Sequence, residues 1–81
     1  MRLVKILWKD AVSASGSSGR WSGLDEVKSL EPVDVKTVGW VVKETDTYIT
    51  VISHHAGETE TGGDICIPKA WIQKLVDLPH E

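Results

Sequence analysis

Residues 33–53, VDVKTVGWVVKETDTYITVIS, constrain the fold more than any other stretch of the chain. From 33 to 43 the residues alternate. Val33, Val35, Thr37, Gly39 and Val41 share a face that carries no charge. Asp34, Lys36, Val38, Trp40 and Val42 share the other, which changes from charged to apolar near Val38. A period of two in β-branched residues is the signature of a strand. The change of polarity predicts a strand half-exposed at one end and buried on both faces at the other. Gly39 sits where the change occurs, and a glycine inside a strand marks a bulge or bend. A bend there lets one strand serve two sheets. Residues 44–47, ETDT, contain no Asn-Gly or Asp-Gly pair, so a loop of three to five residues built on Asp and Thr side-chain bonds is expected. Residues 48–53 then resume β-rich composition, which completes a hairpin.

A chain of 81 residues allows one domain, spanning 1–81. Such a domain is marginally stable, because small folds bury a low fraction of their surface. Four Trp, one Tyr and no Phe make the tryptophans the expected core makers, since each removes about 150–250 Å² from water when buried. The net charge of −3 is uneven. Residues 1–43 carry seven Lys or Arg against five Asp or Glu, and residues 44–81 carry two against seven. Without a basic cluster, general binding of nucleic acid, which requires phosphate neutralisation, is not expected. The single Cys66 excludes an internal disulfide and fits a reducing compartment. No stretch reaches the ~18–20 apolar residues of a membrane span. The first ten residues, interrupted by Lys5, do not read as a signal peptide. A soluble cytoplasmic protein is expected.

Residues 2–8 read as a first strand with Val4, Ile6 and Trp8 on one face and Leu3, Lys5 and Leu7 on the other. A Ser/Gly-rich loop follows over 13–23, SASGSSGRWSG. Long loops in small domains are often functional. Trp21 has two readings there: a lid folded onto the core, which is the commoner use of Trp, or a stacking surface for a flat ring. In the second, Ser18 and other hydroxyls, glycine N–H groups and Arg20 hold an anionic group. No GxxxxGK[ST] or GxGxxG pattern supports a phosphate loop. Leu24, Val27 and Leu30 recur every three residues, which predicts one or two helical turns laid against the core, ended by Pro32.

Residues 54–63, HHAGETETGG, read as a second, acidic loop. His54 and His55 sit side by side, and neighbours on a strand point to opposite faces. With Glu58, Glu60, Asp64, Cys66 and His80 they match no ligand spacing, so no metal or other cofactor is expected. The same loop lacks a rigid acid–base pair, so a non-enzymatic protein is expected. Residues 64–68, DICIP, read as a short strand with Ile65 and Ile67 inward and Cys66 outward. Residues 69–71 form one helical turn, and over 72–78 periodicity does not separate strand from helix.

This order of elements resembles the five-stranded SH3-like small barrel: all-β in the main, with a long first loop and short helical turns. The ending GGDICIPKAWIQKLVDL is similar to the strand, Ile-Pro, helical turn and final strand of such barrels. That resemblance implies a strand over 72–76. More loosely, VKILWKDA, VGWVVKETDTYITV and GGDICIPKAWIQKL resemble small proteins of tailed bacteriophages. The phage resemblance implies work in the host cytoplasm on host proteins or host defence, including sequestration of nucleotide immune signals. On these grounds the expected function is sequestration of a small anionic, nucleotide-like ligand between subunits of a homo-oligomer. Its expected contacts are Ser18, Arg20, Trp21, Tyr48, His54 and Trp71. The alternative is a protein-interaction module that binds a host or phage protein along an aromatic groove of Trp21, Tyr48 and Trp71.

Overall fold

A computed structural model of the chain describes residues 1–14 and 21–79. Its strands are β1 (Leu3–Asp10), β2 (Val33–Glu44), β3 (Tyr48–Ile52), β4 (His54–Ala56), β5 (Glu60–Gly62), β6 (Ile65–Pro68) and β7 (Ile72–Asp77). A short helix, α1 (Leu24–Lys28), precedes β2, and a 3-10 turn, Lys69–Trp71, joins β6 to β7. Five strands form one antiparallel sheet in the order β6-β3-β2-β1-β7, and β4 and β5 form a separate two-stranded sheet. The fold is therefore mainly β. Among the described residues no ladder joins the two outer strands, β6 and β7.

The expected hairpin is present, and β2 divides its length between two neighbours. Val33 to Trp40 pair with β1, and Trp40 to Glu44 pair with β3. Gly39 stands at that handover. A Cβ placed on it would lie 2.7 Å from the Ile52 carbonyl oxygen and 3.2 Å from the Val51 Cβ, so only glycine lets the strands approach this closely. The register then shifts between Val41 and Lys43, a bulge just past the handover. The turn is closed by Thr45: its N–H donates to the Tyr48 carbonyl, and its hydroxyl oxygen accepts from the N–H groups of Thr47 and Tyr48. Asp46 takes no part in these bonds.

The core lies on one face of the sheet. Val4, Ile6 and Trp8 from β1 meet Ile49 and Val51 from β3 and Ile67 from β6, with Val35, Val41, Ile72 and Leu75 packed around them. Trp8 Nε1 donates to Thr37 Oγ1 at 2.9 Å, which satisfies the one polar atom this ring brings inward. Residues 72–77 are a strand. Leu7 faces Lys74 while Trp8 faces Ile72, so Gln73 is an extra residue in the ladder.

Three expectations are corrected. Residues 54–63 are not a plain loop: β4 and β5 pair through His54–Gly62, His55–Thr61 and Ala56–Glu60, with Gly57 at φ +63° taking the turn. The helix is not laid against the core, because Leu24, Val27 and Leu30 are 68%, 45% and 38% exposed. Finally, β2 is not buried on both faces beyond Val38. Val38 and Val42 remain about half exposed, and on their face of the strand Trp40 between them gains partial cover. Of the four tryptophans only Trp8 belongs to the core.

Candidate functional site

Trp71 is the aromatic residue that the fold both fixes and presents. Pro68 ends β6 in an extended conformation (φ −61°, ψ 133°), and the chain then turns once over Lys69–Trp71. Two backbone bonds hold the turn. Lys69 donates its N–H to the Thr47 carbonyl at 2.8 Å, and Ile72 donates to the Lys69 carbonyl. The Trp71 ring stacks on Trp8, with centroids 6.4 Å apart and planes 15° from parallel. Because Trp8 is itself tied to Thr37, the stack rests on the core, yet Trp71 stays 43% exposed.

The exposed ring forms one wall of a cleft of about 520 Å³. Lys9, Asp10, Ala11 and Pro32 line it as well, together with Ala70, Ile72 and Gln73. Pairing explains this juxtaposition. Asp10 is opposite Val33 in the β1–β2 ladder, which puts the end of one strand and Pro32, just before the other, at the same edge. The Asp10 carboxylate accepts the Ala11 N–H at 2.8 Å, and Lys9 Nζ lies 3.2 Å from Asp34. The cleft is thus an open, largely apolar trough with its nearest charges already engaged.

Four of the six expected contacts lie among the described residues, and these four do not converge on it. Trp71 lines the cleft. Trp21 is fully exposed and does not line the Trp71 cleft. Ser18 and Arg20 lie outside the described residues. Tyr48 alternates with the buried Ile49 and so sits on the side of β3 away from the core. There Lys43 Nζ lies 5.6 Å from its ring centroid, and contact with the Tyr48 side chain raises the Lys43 pKa. His54 is on β4, beside Gly62. Tyr48 and Trp71 therefore serve different surfaces, and a single groove through Trp21, Tyr48 and Trp71 does not form.

Sequence reasoning missed two features. One is the wall made by Asp10 and Pro32, which only the register of β1 on β2 reveals. The other is a chain of ions: Asp77 Oδ1 is 2.9 Å from Arg2 Nε, Arg2 Nη1 is 3.0 Å from Glu44 Oε1, and Glu44 Oε2 is 2.8 Å from Lys69 Nζ. These bonds join the end of β7 to the end of β2 and to the 3-10 turn. Lys69, and then Arg2, hold the Glu44 carboxyl below the usual carboxylate range, while Asp77 and then Glu44 raise Arg2. All four side chains are substantially exposed, so the chain orients the turn more than it stabilises the fold.

Cys66 is exposed on β6. No group of three or more His, Cys, Asp or Glu able to hold a metal ion occurs among the described residues. No helix among them is long and apolar enough to cross a membrane. No family model, curated protein or solved structure matches the chain.

Proposed function

We propose that the chain is a non-enzymatic binding module of SH3-like architecture, and that the cleft at Trp71 receives an extended, apolar segment of a partner protein. The order β6-β3-β2-β1-β7 supports the architecture, as does a 3-10 turn between the last two strands of the sheet. The observation that carries the binding reading is Trp71 itself. A tryptophan stacked on a core residue is rigid, so its contact area is gained at little entropic cost. Large aromatic anchors of this kind dominate interface energetics. Pro32 and Ala11 in the same cleft help make an apolar trough suited to an extended chain rather than to a charged small molecule. A host protein as the partner is what the likeness to small phage proteins adds.

The test is affinity selection of a random peptide library on the immobilised full chain. Enrichment of sequences sharing an apolar or proline-containing core is expected. The variants Trp71→Ala and Pro32→Asp are each expected to abolish capture. Pro32→Asp leaves the Trp8 stack intact, which separates loss of binding from loss of fold. No enrichment, or enrichment indifferent to both changes, would overturn the assignment.

One observation favours the second reading, a small anionic ligand held between subunits. Trp21 is wholly exposed, and it adjoins the segment that contains Ser18 and Arg20. A nucleotide-sized mass carried by an oligomer in native mass spectrometry, lost in Trp21→Ala but kept in Trp71→Ala, would move the site from the cleft to that loop.

A further inference from the structure

The outer face of the sheet, opposite the core, carries its own arrangement of charge and apolar surface. Leu3, Lys5 and Leu7 alternate with the buried Val4, Ile6 and Trp8, so they point outward. Their ladder partners extend the face. Lys36 and Lys74 flank Leu7, Val38 and Val76 flank Lys5, and Trp40 lies beside Leu3. Beyond Trp40 comes Ile52, which is buried although it stands apart from the main core cluster. His55 of the β4–β5 hairpin meets the Trp40 ring edge-on, with centroids 5.0 Å apart. That contact brings the hairpin onto this face. Glu58 and Glu60 follow on the hairpin and line a hollow with Val42, Ile52 and His55.

The face therefore runs from a basic end, through an apolar middle, to an acidic end. At the basic end Asp34 is taken by Lys9, which leaves Lys5, Lys36 and Lys74 without an ion pair among the described residues. Glu58 and Glu60 also have none. Toward the acidic end Lys43 lies over Tyr48. From Lys36 to Trp40 along β2 is about 13 Å at ~3.3 Å per residue. Glu58 follows Gly57 in the turn of the hairpin, and Glu60 pairs with Ala56, the neighbour of His55. Lys36 stands before Trp40 on β2, whereas Glu58 and Glu60 share their hollow with Val42, which stands after it, so the two charged ends lie on either side of Trp40.

We infer that this face is the contact surface for a second copy of the chain, packed antiparallel about a two-fold axis near Trp40 and Leu3. Such an axis sets Lys36 and Lys74 of each copy against Glu58 and Glu60 of the other. It also covers Leu3, Val38, Trp40 and Val42 with the same residues of the second copy. A two-fold interface must be self-complementary, and a surface with opposite charges on either side of an apolar centre meets that condition. The inference concerns a different surface from the Trp71 cleft and does not depend on it.

The experiment is light scattering of the full chain after size exclusion, across micromolar to millimolar concentration and at low and high salt. A dimer that weakens with salt is expected, because the end contacts are screened. The double reversals Lys36→Glu/Lys74→Glu and Glu58→Lys/Glu60→Lys are each expected to raise the dissociation constant about tenfold or more, the scale of one cross-interface charge pair. Combining all four reversals is expected to restore the dimer, since the ends again oppose. All four positions are exposed, and circular dichroism of each variant checks that the sheet persists. A monomer at every concentration would overturn the inference. So would a dimer indifferent to the reversals, or a combined variant that stays weak. A monomer that instead binds heparin or oligothymidylate in a manner dependent on Lys36 and Lys74 would assign the face to an anionic polymer and equally overturn it.

Discussion

β1 and the segment from Leu24 to Leu30, which begins with α1, both present three apolar residues at regular spacing, and the fold treats them in opposite ways. Val4, Ile6 and Trp8 lie at intervals of two and are essentially sealed from solvent. Leu24, Val27 and Leu30 lie at intervals of three and remain open to it. The difference does not come from hydrophobicity. It comes from what each segment has to pair with. β1 is central: it has β2 along one edge and β7 along the other, and β3 and β6 supply the residues that cover its inner face. The helix has five residues, no side-chain cap at its start and no buried residue. One turn of helix can bury little, and isolated helices this short are not stable by themselves. Periodicity names the face that would be buried. Whether it is buried depends on neighbours that come from elsewhere in the chain.

The sharpest way to break this comparison is at the centre of β1. Ile6→Ala removes a fully buried side chain from a cluster fed by three strands. The expected cost is about 2–5 kcal/mol, a large part of what a domain of this size possesses. Denaturant titration measures it, with a fall in midpoint at nearly constant slope. A loss below about 1 kcal/mol would mean that the inner face of β1 is not the core.

Gly39 comes next. Its position lies beside the closest approach of β2 to the end of β3, and any Cβ there meets a backbone oxygen that cannot rotate away. Gly39→Val is expected to cost about 2–3 kcal/mol through overpacking, read as a drop in thermal midpoint. Gly39→Ala sharpens the point, because the single methyl already makes the 2.7 Å contact. Stability unchanged in both variants would show that the handover of β2 between its two neighbours does not need glycine.

Gly39 also shows how far the sequence carried the fold. A glycine at the point where one face changes from charged to apolar was enough to expect a bend that lets one strand serve two sheets; β2 instead passes from β1 to β3 within one five-stranded sheet, with Gly39 at the handover. The hairpin, the inward face of β1, and the short strand with Ile65 and Ile67 were legible for the same reason: each is a local alternation. β7 was not. Its inward residues Ile72 and Leu75 stand three apart because Gln73 is bulged out of the ladder with β1. A strand containing one extra residue imitates a helical interval. Residues 54–63 hid in the opposite way, since glycine-rich polar composition describes a three-residue strand pair as well as it describes a loop. At the candidate site Trp71 was legible as an aromatic next to a turn. Asp10 and Pro32 were not, because they are 22 residues apart and only the β1–β2 register brings them together.

The smallest expected effect tests the other side of the comparison. Leu24→Ser with Val27→Ser makes two changes of a kind that in β1 would unfold the protein. In α1 the side chains touch solvent for much of their surface, so little transfer energy is lost when they become polar. The double variant is expected to shift stability by about 0.5 kcal/mol or less, the range of ordinary surface substitutions. A loss of several kcal/mol would mean that the helix docks in solution, and then spacing alone would have been a sufficient guide for both segments. A negligible loss joined to weaker peptide capture at the Trp71 cleft would give α1 a different explanation. Its apolar face would then be kept for a partner, which is the one circumstance in which an exposed Leu24, Val27 and Leu30 gain something the isolated chain does not provide.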